Sequence, residues 1–138
     1  MPKIRLLAMW SAIFAVIFCG PSRAADYKYA IAQFDSGSGA KMVVIMGYKA
    51  ADCRKLIETY HSNMKLDCPT CRIDFQSCTN DISDYKAVWS NQKYFAPYYS
   101  MGTHRYIFSG MSRAEAEARC EAAALQARTA GTTAICIK

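Results

Sequence analysis

Histidine, long apolar runs and excess positive charge are all scarce in this chain, and each scarcity argues against a class of function. Two of its 138 residues are histidine, His61 and His104. A nucleophile activated by a histidine base would need one of them, and no Ser, Asp or Glu stands at a recognisable catalytic spacing from either. The carboxylates likewise show no pairing typical of hydrolases. We therefore predict that the protein is not an enzyme.

No apolar run reaches the roughly 20 residues that a membrane-spanning helix needs. The run from Leu6 to Phe18 follows a basic start and is followed by a Ser-x-Ala sequence that ends at Ala24. This layout is typical of a secretory signal peptide. We predict cleavage after Ala24, which makes residues 1–24 a leader and residues 25–138 a single domain. The mature protein would be periplasmic or secreted, without a membrane span.

Positive charge is modest once the leader is set aside. The leader carries three of the 17 basic residues and none of the 11 acidic ones, so the net charge falls from +6 to +3. A nucleic-acid-binding domain normally carries a larger and clustered basic surplus. We predict no nucleic-acid partner.

Two cofactor motifs are also missing. Arg72, not histidine, follows the Cys68-x-x-Cys71 sequence, which excludes c-type haem attachment. The glycines in Asp35-Ser36-Gly37-Ser38-Gly39 fit neither common phosphate-binding spacing, so this stretch predicts a flexible hairpin connection. We expect no cofactor.

Cysteine is the residue that the mature chain has in quantity. An even number in an exported chain predicts three disulfides. The six cysteines outside the leader are Cys53, Cys68, Cys71, Cys78, Cys120 and Cys136. His61 with Cys68, Cys71 and Cys78 would supply four zinc ligands, but an oxidising compartment removes the thiolates that zinc needs. We therefore predict no metal site.

Spacing suggests how these cysteines pair. Cys120 and Cys136 are 16 apart, which predicts a bridge between a helix and the strand that follows it. The first half of the chain leaves two arrangements open. They are Cys53–Cys68 with Cys71–Cys78, which repeats the second-half spacing, and Cys53–Cys71 with Cys68–Cys78.

A redox site at Cys68 and Cys71 is the alternative to a structural role. The two-residue spacing is that of a dithiol oxidoreductase, in which a helix N-terminus lowers the pKa of the first thiol. Here residues 72–76 alternate as a strand, so this source of thiolate stabilisation is missing. We expect structural disulfides instead.

Hydrophobic periodicity predicts a small α+β domain. Strands are predicted at 27–34, 42–46, 72–76, 104–109 and 132–137, and helices at 50–64 and 113–128. The second helix has a capping box, because Ser112 precedes it and Glu115 stands three residues later. Strand, glycine, helix and cysteine recur in both halves of the chain. We predict a ferredoxin-like βαββαβ antiparallel sheet with two helices on one face, and with strand 27–34 added at an edge.

Residues 79–102 form an aromatic-rich insertion between the two halves. Aromatic rings beside basic residues are typical anchors of protein interfaces. The predicted partner-binding residues are Tyr85, Trp89, Tyr94, Phe95, Tyr98 and Tyr99. We predict a binding module, such as an envelope inhibitor or immunity-type protein, that engages a protein partner. The alternative is that this segment covers the second face of the sheet, which would favour a structural envelope protein.

Overall fold

The computed structural model describes residues 27–47 and 53–138. The predicted signal peptide and the first residues of the first predicted helix lie outside the described residues. Within them, the chain forms an α+β fold with a six-stranded antiparallel sheet and three helices. In chain order the elements are β1 (Tyr29–Asp35), β2 (Lys41–Gly47), α1 (Cys53–Asp67), β3 (Arg72–Thr79), a 3-10 turn (Ser83–Tyr85), α2 (Lys86–Trp89), β4 (Tyr98–Met101), β5 (His104–Ser109), α3 (Arg113–Thr129) and β6 (Ala134–Ile137).

The strands lie in the order β3-β1-β2-β5-β4-β6. This order does not confirm the ferredoxin-like topology. The prediction that the first strand lies at an edge is wrong, because β1 pairs with β2 on one side and with β3 on the other. The physical reason is the small size of Ala30 and Ala32, which are both completely buried. Their methyl groups let α1 pack closely over β1, so a strand with small side chains lies inside the sheet.

The sheet consists of two halves of the same design. In each half a hairpin is followed by a helix, and a third strand returns to pair with the first strand of the hairpin. The halves are β1-β2-α1-β3 and β4-β5-α3-β6, and they join where β2 pairs with β5. The sequence repeat predicted a strand, a helix and a strand in each half, but it missed the leading strand β4.

The two long helices lie on the same face of the sheet, as predicted. On this face α1 packs Ile57 into a core cluster that includes Val44. Helix α3 is bonded through Cys120 to Cys136 of β6, which pairs with Tyr99 of β4. Tyr99 packs against the same cluster as Ile57, so both helices cover one face, which we call the helical face.

The opposite face is covered by the segment between β3 and β4. Val88 of α2 and Ala96 pack with Ile45 and Ile107, and Tyr98 of β4 completes this second core. The segment is therefore a layer of the fold as well as a connection, and the alternative prediction that it covers the second face of the sheet is confirmed. We call this side the aromatic face.

Two glycines are required by close approaches. A Cβ on Gly47 would lie 2.6 Å from the Trp89 ring, so glycine makes room for the layer on the aromatic face. Gly110 has φ of +68°, and a Cβ there would overlap the carbonyl oxygen of Gly39 in the hairpin between β1 and β2. Glycine tolerates this left-handed backbone, which other residues adopt at a cost.

Three disulfides crosslink the described residues. The predicted Cys120–Cys136 bridge is present, and both predicted arrangements of the other four cysteines are wrong. The bridges are Cys53–Cys78, Cys68–Cys71 and Cys120–Cys136.

Element lengths explain the correction. Cys53 begins the 15-residue helix α1 and Cys68 follows its end, a separation of about 22 Å at 1.5 Å per residue. Cysteines pair when their Cα atoms are within roughly 7 Å. Strand β3 runs back along the helix, so Cys78 near its end reaches Cys53 with a Cα separation of 5.9 Å. Cys71 stands just before β3 and Cys78 lies near the end of that strand, so the length of β3 keeps these two cysteines apart.

Candidate functional site

The aromatic segment lies against the sheet and does not project from it. Tyr85, Trp89 and Tyr94 are all half-buried and pack against the core of the aromatic face. Burial raises the pKa of Tyr85 and Tyr94, and the nearby Asp84 carboxylate adds to both shifts. Each of these rings is therefore partly in the core and partly exposed to solvent.

Tyr98 lies beneath these rings. Its side chain is completely buried, and its hydroxyl donates a hydrogen bond of 2.6 Å to the Gln92 carbonyl oxygen. The Tyr94 ring meets it edge-on, with centroids 6.5 Å apart. Burial raises the pKa of Tyr98. Tyr98 is positioned to hold the segment on the sheet and has no surface to offer.

Tyr99 lies on the other side of the sheet, because adjacent residues of a strand point to opposite faces. Its ring stacks on Tyr106 at 4.3 Å with an interplanar angle of 5°. Burial raises the pKa of Tyr99, and the Tyr106 hydroxyl adds to this effect. The six predicted rings thus do not share one surface.

Phe95 is the exposed ring of the segment. It is 78 % exposed, yet its ring packs on Tyr94 with centroids 4.2 Å apart. The Tyr94 hydroxyl donates to the Asp84 carbonyl oxygen at 3.4 Å, and the Arg113 guanidinium approaches the Phe95 carbonyl oxygen at 3.5 Å. A series of contacts from Tyr98 through Tyr94 therefore supports an apolar ring in solvent. We call Tyr85, Tyr94 and Phe95 the aromatic patch.

Trp89 has a different neighbourhood. The Arg105 guanidinium lies 4.8 Å from the centroid of its ring and donates to the Trp89 carbonyl oxygen at 3.1 Å. Arg105 also donates to the carbonyl oxygens of Gly102 and His104, both at 2.9 Å. Burial lowers the pKa of Arg105. Arg105 therefore fixes Trp89 to the hairpin between β4 and β5.

The Cys68–Cys71 bridge forms a tight loop at the C-terminal end of α1. The Cys71 amide donates to the Cys68 carbonyl oxygen at 3.1 Å. Cys68 is half-buried and Cys71 is buried. The C-terminal end of a helix carries the negative end of its dipole, which disfavours a thiolate.

The two histidines do not form a catalytic pair with the cysteines. His61 Nε2 lies 3.1 Å from the Cys71 carbonyl oxygen. His104 packs beside Tyr106, and burial lowers the pKa of its imidazole. Across residues 27–47 and 53–138, no group of three or more His, Cys, Asp or Glu side chains is placed to hold a metal ion.

An open pocket on the helical face is a feature that the sequence reasoning missed. It lies between the end of α1 and the start of α3 and has a volume of about 220 Å³. Its floor is the row Phe34, Met42 and Phe108, which are paired across three neighbouring strands. Residues 42–46 of β2 are apolar on both faces of the strand. That pattern indicates burial on both sides of the sheet and does not indicate an open pocket.

Beside this pocket, three tyrosines fill the space between the helices. Tyr106 lies between Tyr99 and Tyr60, with the Tyr60 ring centroid 6.3 Å away. Burial raises the pKa of Tyr60 well above its usual range, with smaller effects from the other two hydroxyls. These hydroxyls therefore stay protonated and act as hydrogen-bonding groups, not as bases.

No protein-family model matches this chain, and no curated protein or solved structure shows significant similarity to it. None of the helices in the described part of the chain is long and apolar enough to cross a membrane. The three disulfides are compatible with a periplasmic or extracellular location.

Proposed function

We propose that the protein is an exported, non-enzymatic binding module that engages a protein partner through the aromatic patch. An inhibitor or immunity-type protein has these properties. The observation that carries the proposal is Phe95, a large apolar ring held in solvent by a rigid support.

Rigidity is what separates Phe95 from an ordinary exposed apolar residue. Single apolar side chains on a surface are common and need no explanation. Binding, however, costs free energy whenever flexible side chains become ordered. Phe95 packs on Tyr94, which packs on the buried Tyr98, so the ring is ordered before a partner arrives. Aromatic anchors of this kind carry much of the binding energy in protein interfaces.

The surroundings of the patch also suit an interface. Lys93 is exposed beside Tyr94, and Arg113 is half-exposed and approaches Phe95. The Asp84 carboxylate lies near Tyr85 and Tyr94, and Arg113 pairs with Glu117 at 2.9 Å, so charges of both signs surround the patch. This arrangement favours a partner with an apolar centre and complementary charges around it, since complementary charge accelerates association.

Affinity capture from the envelope fraction of the producing cell tests the proposal. The unchanged protein is compared with Phe95→Ala, and the dissociation constant is then measured with the purified partner. Loss of a central aromatic anchor typically costs 2 kcal/mol or more, which is about a 30-fold weaker dissociation constant. Because Phe95 is 78 % exposed, the unfolding free energy should change little.

Leu66→Ala is the matched control. Leu66 is 83 % exposed on α1 and lies outside the aromatic patch. It removes a comparable exposed apolar group, so the partner should be retained. Equal capture by the unchanged protein and by Phe95→Ala would contradict the proposal. Capture of no partner by the unchanged protein would also contradict it and would favour a structural envelope protein.

A second candidate function is thiol-disulfide exchange at Cys68 and Cys71. The observation that favours it is that these cysteines pair with each other, as the two thiols of an oxidoreductase do. In the reduced protein the Cys68 thiolate would attack a substrate disulfide and release one substrate thiol. Cys71 would then attack Cys68 and release the second thiol, which closes the bridge. The dipole of α1 opposes the first step, so we place this function second.

Insulin reduction by a dithiol reductant tests this candidate. Catalysis by the protein, together with a trapped mixed disulfide in Cys71→Ser, would support it. A rate equal to that of the reductant alone would remove it.

A further inference from the structure

The pocket on the helical face is lined by five sulfur-bearing side chains. Met42 lies in its floor, Met64 lies in the last turns of α1, and Met111 immediately precedes the N-cap of α3. Cys68 and Cys71 complete the set as a closed bridge. The sulfurs thus come from the sheet, from α1 and the loop that follows it, and from the loop before α3.

The remaining lining excludes hard cations. Among the described residues, no carboxylate lines the pocket. Apart from the sulfur-bearing side chains, two basic side chains and the hairpin residues Ser36 and Ala40, its described lining is aromatic. The basic side chains already have partners at the rim, Lys41 with Asp74 and Arg119 with Glu115, at 2.9 Å each. Calcium and magnesium require several oxygen ligands, which this pocket does not supply.

Thioether sulfur is a soft ligand and selects copper(I) among the common biological metals. A methionine side chain has three rotatable bonds, so ligands from different elements can converge on one ion. Methionine also fills gaps in cores, which is the competing explanation. Met42 and Met64 pack against the same core cluster as Met101, and Met46 lies within it. Met42, Met64 and Met111 differ from Met46 and Met101 in that they line the pocket.

We propose that Met42, Met64 and Met111 form a thioether site for a soft monovalent cation of the copper(I) class. The site operates with the Cys68–Cys71 bridge closed, so no electron transfer is required. It is independent of the aromatic patch, which lies on the opposite face of the sheet.

Silver(I) is the probe, because it is a soft monovalent cation that does not change oxidation state in the experiment. The protein is labelled with ¹³C at the methionine methyl groups, its three disulfides are verified by mass, and silver(I) is added in steps. The methyl signals of Met42, Met64 and Met111 should shift together to an endpoint of one equivalent. The signals of Met46 and Met101 are internal controls and should not move.

Met→Leu substitutions separate sulfur from apolar character, since leucine keeps the volume and the fold. Each single substitution in the site should weaken silver(I) binding at least tenfold, because even changes outside the first ligand shell of metal sites have effects of that size. Met46→Leu and Met101→Leu should leave the affinity unchanged.

Three outcomes would overturn the proposal. The first is an absence of methyl shifts at millimolar silver(I). The second is silver(I) binding that survives the triple substitution at positions 42, 64 and 111. The third is binding that appears only after the disulfides are reduced, which would assign the metal to cysteine thiolates. If the first outcome is found, and a small apolar molecule binds the unchanged and triple-substituted proteins equally, the pocket is a hydrophobic site instead.

Discussion

The three disulfides should contribute unequally to stability, in an order set by the chain that each one closes. The bridges span 25, 16 and 3 residues for Cys53–Cys78, Cys120–Cys136 and Cys68–Cys71. In the chain-entropy model, closing these loops stabilises the fold by about 3.5, 3.1 and 1.6 kcal/mol at 25 °C. Replacing both cysteines of a bridge by alanine should therefore lower the unfolding free energy most for Cys53–Cys78, less for Cys120–Cys136 and least for Cys68–Cys71.

Urea unfolding under non-reducing conditions measures these differences. The removal of either long bridge should also increase the slope of free energy against urea, because the unfolded chain exposes more surface without a crosslink. Cys53 and Cys120 are both buried, so truncation adds a packing cost to the entropic one for each of the two long bridges. A variant without the Cys68–Cys71 bridge that is as unstable as the other two would refute the reasoning.

Other predictions concern single side chains and use the same assay. Tyr98→Phe removes the hydrogen bond to Gln92 and should cost about 1 kcal/mol, whereas Tyr98→Ala should cost about 3–5 kcal/mol; a neutral Tyr98→Ala would mean that the aromatic segment is not part of the core. Arg105→Lys should cost about 1–3 kcal/mol, because lysine cannot stack flat on Trp89 while bonding three carbonyl oxygens. Because burial lowers the pKa of His104 in the folded state, its contribution to stability is complete above about pH 6.5 and is lost as the pH falls below that value. The urea midpoint should therefore decline on acidification less steeply in His104→Gln, and identical pH profiles would contradict this.

Helix α3 was the most accurate prediction from the sequence, because the signal that starts this helix is local. Helix α3 was predicted at 113–128 and runs from Arg113 to Thr129, with Ser112 Oγ accepting a hydrogen bond of 3.2 Å from the Glu115 amide. Such a cap depends on residues a few positions apart, so the sequence contains the whole signal. The Glu115 carboxylate, however, pairs with Arg119 instead of returning to the cap.

Strand β4 was missed because its signal is not local. Tyr98 to Met101 is short and shows no alternation of polar and apolar residues, and it follows a run of aromatic residues that resembles a surface segment. It forms a hairpin with β5, but its other partner is β6, which is distant in sequence. Once β4 is known, alternation alone separates Tyr98 from Tyr99 and divides the predicted partner surface between two faces.

Which cysteines form disulfides depends on where the chain reverses its direction. The Cys68–Cys71 loop turns the chain from α1 into β3, and this reversal brings Cys78 back to the start of the helix. Spacing between cysteines does not encode it, which is why two pairings were predicted incorrectly. The methionine pocket was missed for a related reason, since its ligands come from a strand, a helix and a loop that meet only in the fold.

Photo-crosslinking from the aromatic patch tests the proposed function most directly. A benzophenone amino acid is placed at position 95, or at position 66 as the control, and the producing cells are irradiated. Both sites are highly exposed, so the two variants should fold alike. The account predicts a discrete crosslinked protein from position 95 and none from position 66. The absence of an adduct at position 95, or the same adducts from both positions, would contradict it.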